Sequence, residues 1–173
     1  MIENIVGWFI GTIDFLILNY GLFGLFFAAI IANATIILGV PIEIAIISLI
    51  AGTGWNPLVV GIIGGAGAAI GEMTGYLLGL GGHAALHKFD EKTAKKIHKI
   101  EKDINQKGPI LVTVLAVAPF PFDLVGIASG LAKMHPGKFL IAAFIGKSIR
   151  YAIVGWAALV GMKIVLAFFG LAN

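Results

Sequence analysis

The sequence predicts an all-α polytopic membrane protein, an inverted repeat with two re-entrant helical hairpins, each followed by a long transmembrane helix. Three observations lead there: an excess of apolar residues, one isolated lysine-rich stretch, and a Pro-x-acid element that recurs in matching order in the two halves. Of 173 residues, 59% are hydrophobic and 12% charged, and the mean hydropathy is +1.01. Soluble domains run at about 45–50% apolar and about 25% charged. Asn33, Pro41 and Glu43 are the chief interruptions of an apolar run over 20–49, and about 20 helical residues cross the hydrocarbon. Lipid is therefore the solvent of this chain.

The formal net charge of +3 is concentrated. Seven lysines (Lys88, Lys92, Lys95, Lys96, Lys99, Lys102, Lys107) share the stretch 83–108 with Asp90, Glu91, Glu101 and Asp103. Short Lys-rich loops stay on the cytoplasmic side, which places this stretch inside; the cytoplasmic (plasma) membrane is the location that compactness and the family resemblance given below imply. The interleaved acids and the absence of aromatic stacking residues argue against nucleic acid as a partner. No cysteine is present, so disulfides and thiolate metal sites are excluded. Met1-Ile2-Glu3-Asn4 offers neither a basic region nor a small-residue cleavage signature and is not read as a removable signal peptide.

Taken in order, residues 3–18 form an amphipathic or spanning helix carrying Glu3, Trp8 and Asp14, and residues 20–34 a transmembrane helix. Residues 34–55 form re-entrant hairpin 1, broken at Pro41 and closing near Gly52. Proline removes a backbone donor and blocks the carbonyl one turn back, so a helix breaks there. Asn56-Pro57 opens a transmembrane helix over 57–82, followed by the cytoplasmic amphipathic helix or loop of 83–108. There Ala94, Ile97, Ile100 and Ile104 recur at helical spacing between lysines, as expected of a helix lying on an anionic membrane surface. Gly108-Pro109 opens re-entrant hairpin 2 over 109–135, broken at Pro119 and Pro121 and closing near Gly130. After His135-Pro136 a long transmembrane helix, or helices with a break near Gly161, fills 137–171.

The two halves match beyond hydropathy. Val40-Pro41-Ile42-Glu43 leads to Ala51-Gly52, and Phe120-Pro121-Phe122-Asp123 leads to Ser129-Gly130; a helix-opening proline follows each. Both long helices then carry a Gly-charge-x-x-x-Tyr element, Gly71-Glu72-Met73-Thr74-Gly75-Tyr76 and Gly146-Lys147-Ser148-Ile149-Arg150-Tyr151. With the lysine stretch inside, the Pro57 helix descends and the Pro136 helix ascends, so the repeats are inverted. Gly/Pro-interrupted apolar segments at matching positions of inverted repeats point to a substrate site near the midplane.

Glu43, Glu72, Asp123, Lys147 and Arg150 all fall within apolar segments, where a lone central charge costs about 2.5–3.5 kcal/mol on insertion scales. The expected arrangement sets Glu72 near Lys147 or Arg150 where the long helices cross, and Glu43 and Asp123 at the hairpin tips. Tyr76 lies one turn beyond Glu72, and Tyr151 one turn beyond Lys147, on shared helix faces. The plainer reading is a structural Glu72–Arg150 ion pair, with Glu43 and Asp123 as helix caps. Gly61, Gly64, Gly65, Gly67, Ala68 and Gly71, continued by Gly75 and Gly79, form a small-residue stripe suited to close packing within the fold or to a homodimer. His83 and His87 have a metal-capable spacing but no third ligand nearby, so neither a metal nor another cofactor is assigned.

Together these residues resemble the DedA family, also called the VTT or SNARE-associated family, over roughly residues 20–160. The most specific stretches are Pro41-Ile42-Glu43 through Gly52, Gly71-Glu72 with Gly75-Tyr76-Leu77-Leu78-Gly79, and Pro119 through Gly130 followed by Gly146 through Tyr151. Many members carry arginines three residues either side of the second-hairpin proline, where this chain has Ala116 and Phe122. Many also carry an acid upstream of the first hairpin proline, where the nearest polar residue here is Asn33.

The resemblance implies oppositely directed re-entrant hairpins and movement of lipids between leaflets, with a polyprenyl-phosphate carrier or a phospholipid as cargo. On that reading Glu43 and Asp123 couple a proton or sodium ion, while Lys147 and Arg150 attract an anionic headgroup. An ion or small-solute secondary transporter and a non-transporting membrane scaffold are the alternatives. Catalysis is not expected. Asp123 is the one Asp in the apolar segments of the second half, no Gly-x-Gly-Asp element exists, and all four histidines lie at segment ends or in the loop, where none offers Ser129 or Ser148 a buried base.

Overall fold

The computed structural model describes residues 2–35, 42–82 and 90–168. The described residues are helical, with no strand: α1 Ile2–Ala34, α2 Ile42–Thr53, α3 Pro57–Gly71, α4 Met73–Leu80, α5 Glu91–Lys107, α6 Pro109–Val117, α7 Phe122–Leu131 and α8 Pro136–Phe168. Phe15–Ala34, Pro57–Leu80 and Pro136–Ile164 are long and apolar enough to cross a membrane, whereas Ile42–Thr53 and Phe122–Leu131 are shorter apolar helices. Pro41, His83 and His87 lie outside the described residues, as do the far ends of the expected segments at 36–41 and 169–171.

The expected helices over 3–18 and 20–34 meet at a sharp bend inside α1. Gly21 there has φ 58° and ψ −128°, a conformation glycine adopts without steric penalty. α3 starts where Asn56 accepts a hydrogen bond from the Leu58 amide at 2.9 Å and Pro57 occupies the first turn, a position where its missing donor is not needed. A slight irregularity at Glu72 separates α3 from α4, yet the Tyr76 amide still reaches the Glu72 carbonyl at 3.2 Å. The two therefore act as one span. α5 is capped by Asp90, which accepts from the Thr93 amide at 3.1 Å and the Thr93 hydroxyl at 2.6 Å. Those bonds hold the Asp90 carboxyl below its usual range.

α3 is enclosed by α1 and α8, and the glycine stripe is the reason. A Cβ on Gly61 or Gly65 would lie 2.7 Å from Ser148 backbone atoms of α8, and one on Gly71 would lie 2.5 Å from the Ile30 carbonyl of α1. Gly79 faces α7 in the same way. The stripe is thus used inside one chain, against three different helices. Two apolar clusters result. One gathers α1, α2, α3 and Tyr151 of α8 around Leu25, Ile46 and Ile50. The other gathers α4, α5, α6, α7 and the first turns of α8 around Ile97, Val125 and Phe139. α8 runs through both.

Of the one helix or several expected over 137–171, α8 is one, unbroken at Gly161. Two expectations are corrected. The isoleucine face of α5 does not lie on lipid: Ile97 is 0% exposed and Ile104 3%, packed with Val125 and Phe139 in the second cluster. Gly52 and Gly130 are not themselves breaks. Each sits in the last turn of its helix, and the chain turns at Gly54 (φ 66°) and Lys133 (φ 51°) instead.

Candidate functional site

The site forms where the two clusters meet, at mid-height of α8. Glu43 lies in the first turn of α2 and Asp123 in the first turn of α7. Glu72 marks the α3–α4 junction, and Lys147, Arg150 and Tyr151 lie within about one turn of α8. These residues, with Asn33 at the end of α1, line a cavity of about 370 Å³ whose remaining wall includes Pro119, Pro121 and Phe122.

Two ion pairs cross it. Lys147 Nζ lies 2.6 Å from Glu72 Oε1, with both side chains almost fully buried. Arg150 Nη2 lies 2.6 Å from Glu43 Oε1 in a half-exposed position. Of the two partners expected for Glu72, Lys147 is the one it meets; the plainer reading's Glu72–Arg150 pair does not form, and Arg150 turns to Glu43 instead. Removing one member of a buried pair leaves an uncompensated charge at about 3–5 kcal/mol, so the Glu72–Lys147 contact is the one that holds α8 most firmly, against the α3–α4 junction.

Lys147 also donates to Asn33 Oδ1 at 2.8 Å and stands 5.0 Å from the centre of the Phe122 ring. Asn33 Nδ2 reaches the Ala29 carbonyl at 2.9 Å and the Tyr151 hydroxyl at 3.3 Å. Asn33 is the residue that sequence reasoning passed over. Its signal was present, an amide inside an apolar run, and an amide supplies acceptor and donor together. Arg150 does a second job: Nη1 donates at 3.1 Å to the carbonyl of Ala118. Pro119 and Pro121 break the chain between α6 and α7, and Arg150 satisfies a carbonyl left free at that break.

Two groups differ from the rest. Asp123 makes no ion pair among the described residues. Glu72 Oε2 is buried without a hydrogen-bond partner there. Tyr76 is not brought to the cavity. Its hydroxyl donates to the Met134 carbonyl, and its ring stacks on Phe139 at 5.0 Å. Of the charged groups in the cavity three are acids and two are bases, and both bases are engaged by acids.

The chain is 29% identical over 142 residues to an uncharacterized protein, MJ0201, of Methanocaldococcus jannaschii, covering 80% of this chain and 84% of that protein. No solved structure matches it. The family model of the VTT domain matches residues 40–158, which include all five of the charged cavity residues. The chain belongs to the VTT-domain, or DedA, family, membrane proteins of transporter type.

Proposed function

We propose that this protein moves a lipid, a polyprenyl-phosphate carrier or a phospholipid, between leaflets, and that the cavity between α2, α7 and α8 is the headgroup's path. The observation that carries the reading is the convergence of two short helices, each with an acid in its first turn, on one ion-paired polar cavity. α2 has 12 residues and α7 has 10, which at about 1.5 Å each reach roughly half of a 30 Å hydrocarbon layer. That length fits re-entrant arms. Matched contacts favour an inverted repeat: α1 packs on α3 as α6 packs on α8, and α2 packs on α8 as α7 packs on α4. The positive-inside rule puts α5 on the cytoplasmic face.

An anionic headgroup must compete with Glu43 and Glu72 for Arg150 and Lys147. A phosphate that takes the place of the Glu43 carboxylate meets the Arg150 guanidinium in a charge-assisted, two-pronged contact. A second reading, a cation or small-solute transporter, is favoured by one observation, the unpartnered Glu72 Oε2 beside unpaired Asp123. The decisive experiment follows headgroup accessibility of a labelled polyprenyl phosphate, and separately of a phospholipid, in liposomes holding wild type or folded Glu43→Gln, Asp123→Asn and Arg150→Gln variants. Movement by wild type that the variants lose supports lipid translocation. Ion-gradient-dependent flux without lipid movement supports the second reading, and no movement of either kind leaves a scaffold.

A further inference from the structure

Away from the central cavity, the lysine face of α5 borders one concavity, which adjoins a second between α5 and α6. One, of about 460 Å³, is lined by Glu91, Lys92, Lys95, Lys96 and Lys99. The other, of about 270 Å³, is lined by Ile100, Leu111, Leu115 and Phe120, with Lys96, Lys99 and Asp103 at its edge. They share Lys96 and Lys99. Lys95 is held by Glu91 at 2.6 Å, whereas Lys96 and Lys99 make no ion pair among the described residues. Leu111 and Leu115 are one turn apart on α6, and the adjoining face of that helix exposes Ile110 at 75% and Val114 at 57%, as a lipid-facing helix does. A polar trough thus opens into an apolar slot at two uncommitted ammonium groups.

We propose that this composite groove binds one anionic glycerophospholipid, its phosphate between Lys96 and Lys99 and one acyl chain against Leu111, Leu115 and Phe120. The apolar part of the slot, walled by Ile100, Leu111, Leu115 and Phe120, calls for a tail that a free anion lacks. Asp103 at the rim disfavours a headgroup of higher negative charge and leaves the lysine pair to a single phosphodiester. The site does not depend on lipid being transported, and its occupant is a resident lipid that ties α5 to α6.

Native mass spectrometry of the detergent-purified full chain tests this, with dioleoyl phosphatidylglycerol and dioleoyl phosphatidylcholine offered in equal amounts. Wild type is expected to retain one phosphatidylglycerol in preference to phosphatidylcholine, undisturbed by millimolar inorganic phosphate. Lys96→Gln with Lys99→Gln should lower that retention about tenfold or more, and Leu111→Ala with Leu115→Ala should lower it too. Lys102→Gln with Lys107→Gln, which removes the same charge from exposed positions of α5, should leave it unchanged. Equal loss in both lysine double variants, displacement by inorganic phosphate, or equal retention of the two lipids overturns the proposal. Liposome headgroup movement is read separately, so lost lipid retention with intact movement is distinguishable from failure of the central cavity.

Discussion

The two short helices, α2 and α7, occupy equivalent places in sequence, yet their acids live differently. Glu43 of α2 is answered by Arg150 of α8. The position that matches Arg150 in the other Gly-charge-x-x-x-Tyr element is Gly75, which faces the Asp123 backbone and has no side chain to offer it. Asp123 therefore has no counterpart to Arg150. Glu43 is held in a salt bridge, whereas Asp123 makes none among the described residues. Likeness of motif between two halves does not carry likeness of role.

The largest effect should come from the deepest pair. Glu72→Gln or Lys147→Met strands a charge that is almost fully buried and should lower stability by about 3–5 kcal/mol. Chemical denaturation in detergent reads it, and the Glu72→Met, Lys147→Met double variant should recover much of the loss. If the single variants unfold no more readily than wild type, the buried pair is not what registers α8. Arg150→Gln comes next, at about 1–3 kcal/mol, because it strands the Ala118 carbonyl as well as Glu43. Glu43→Gln keeps that carbonyl satisfied and should cost visibly less.

Tyr76→Phe should cost about 1 kcal/mol through its lost bond to Met134 while sparing transport, since Tyr76 does not line the cavity. Asp123→Asn should change stability least, within about 0.5 kcal/mol, and still abolish headgroup movement in liposomes. A large stability loss in Asp123→Asn would mean that the second arm is as structurally committed as the first, and the contrast between the arms would disappear.

Much of this architecture is legible in the sequence because prolines and glycines act locally. Pro57, Pro109 and Pro136 each open a helix as expected, and the small-residue stripe over 61–79 announces close packing. Partner choice is another matter. Whether Glu72 meets Lys147 or Arg150 depends on the rotation of α8 about its axis, which no local pattern encodes. Asn33 meets Lys147 from 114 positions away, a contact set by how α1 leans on α3. Tyr76 and Tyr151 share a motif, but one faces Met134 and the other Asn33. Periodicity marked the apolar face of α5 correctly, and amphipathicity alone is silent on whether lipid or protein covers such a face. Here protein does.

The unbroken length of α8 has a mechanical consequence. Lys147 is tied to α1 and the α3–α4 span, and Arg150 to α2 and the α6–α7 break. Both anchor points ride on one rigid rod less than a turn apart. A slide or twist of that rod would move both cations together, so a shift that α2 feels through Arg150 would reach the α3–α4 span through Lys147.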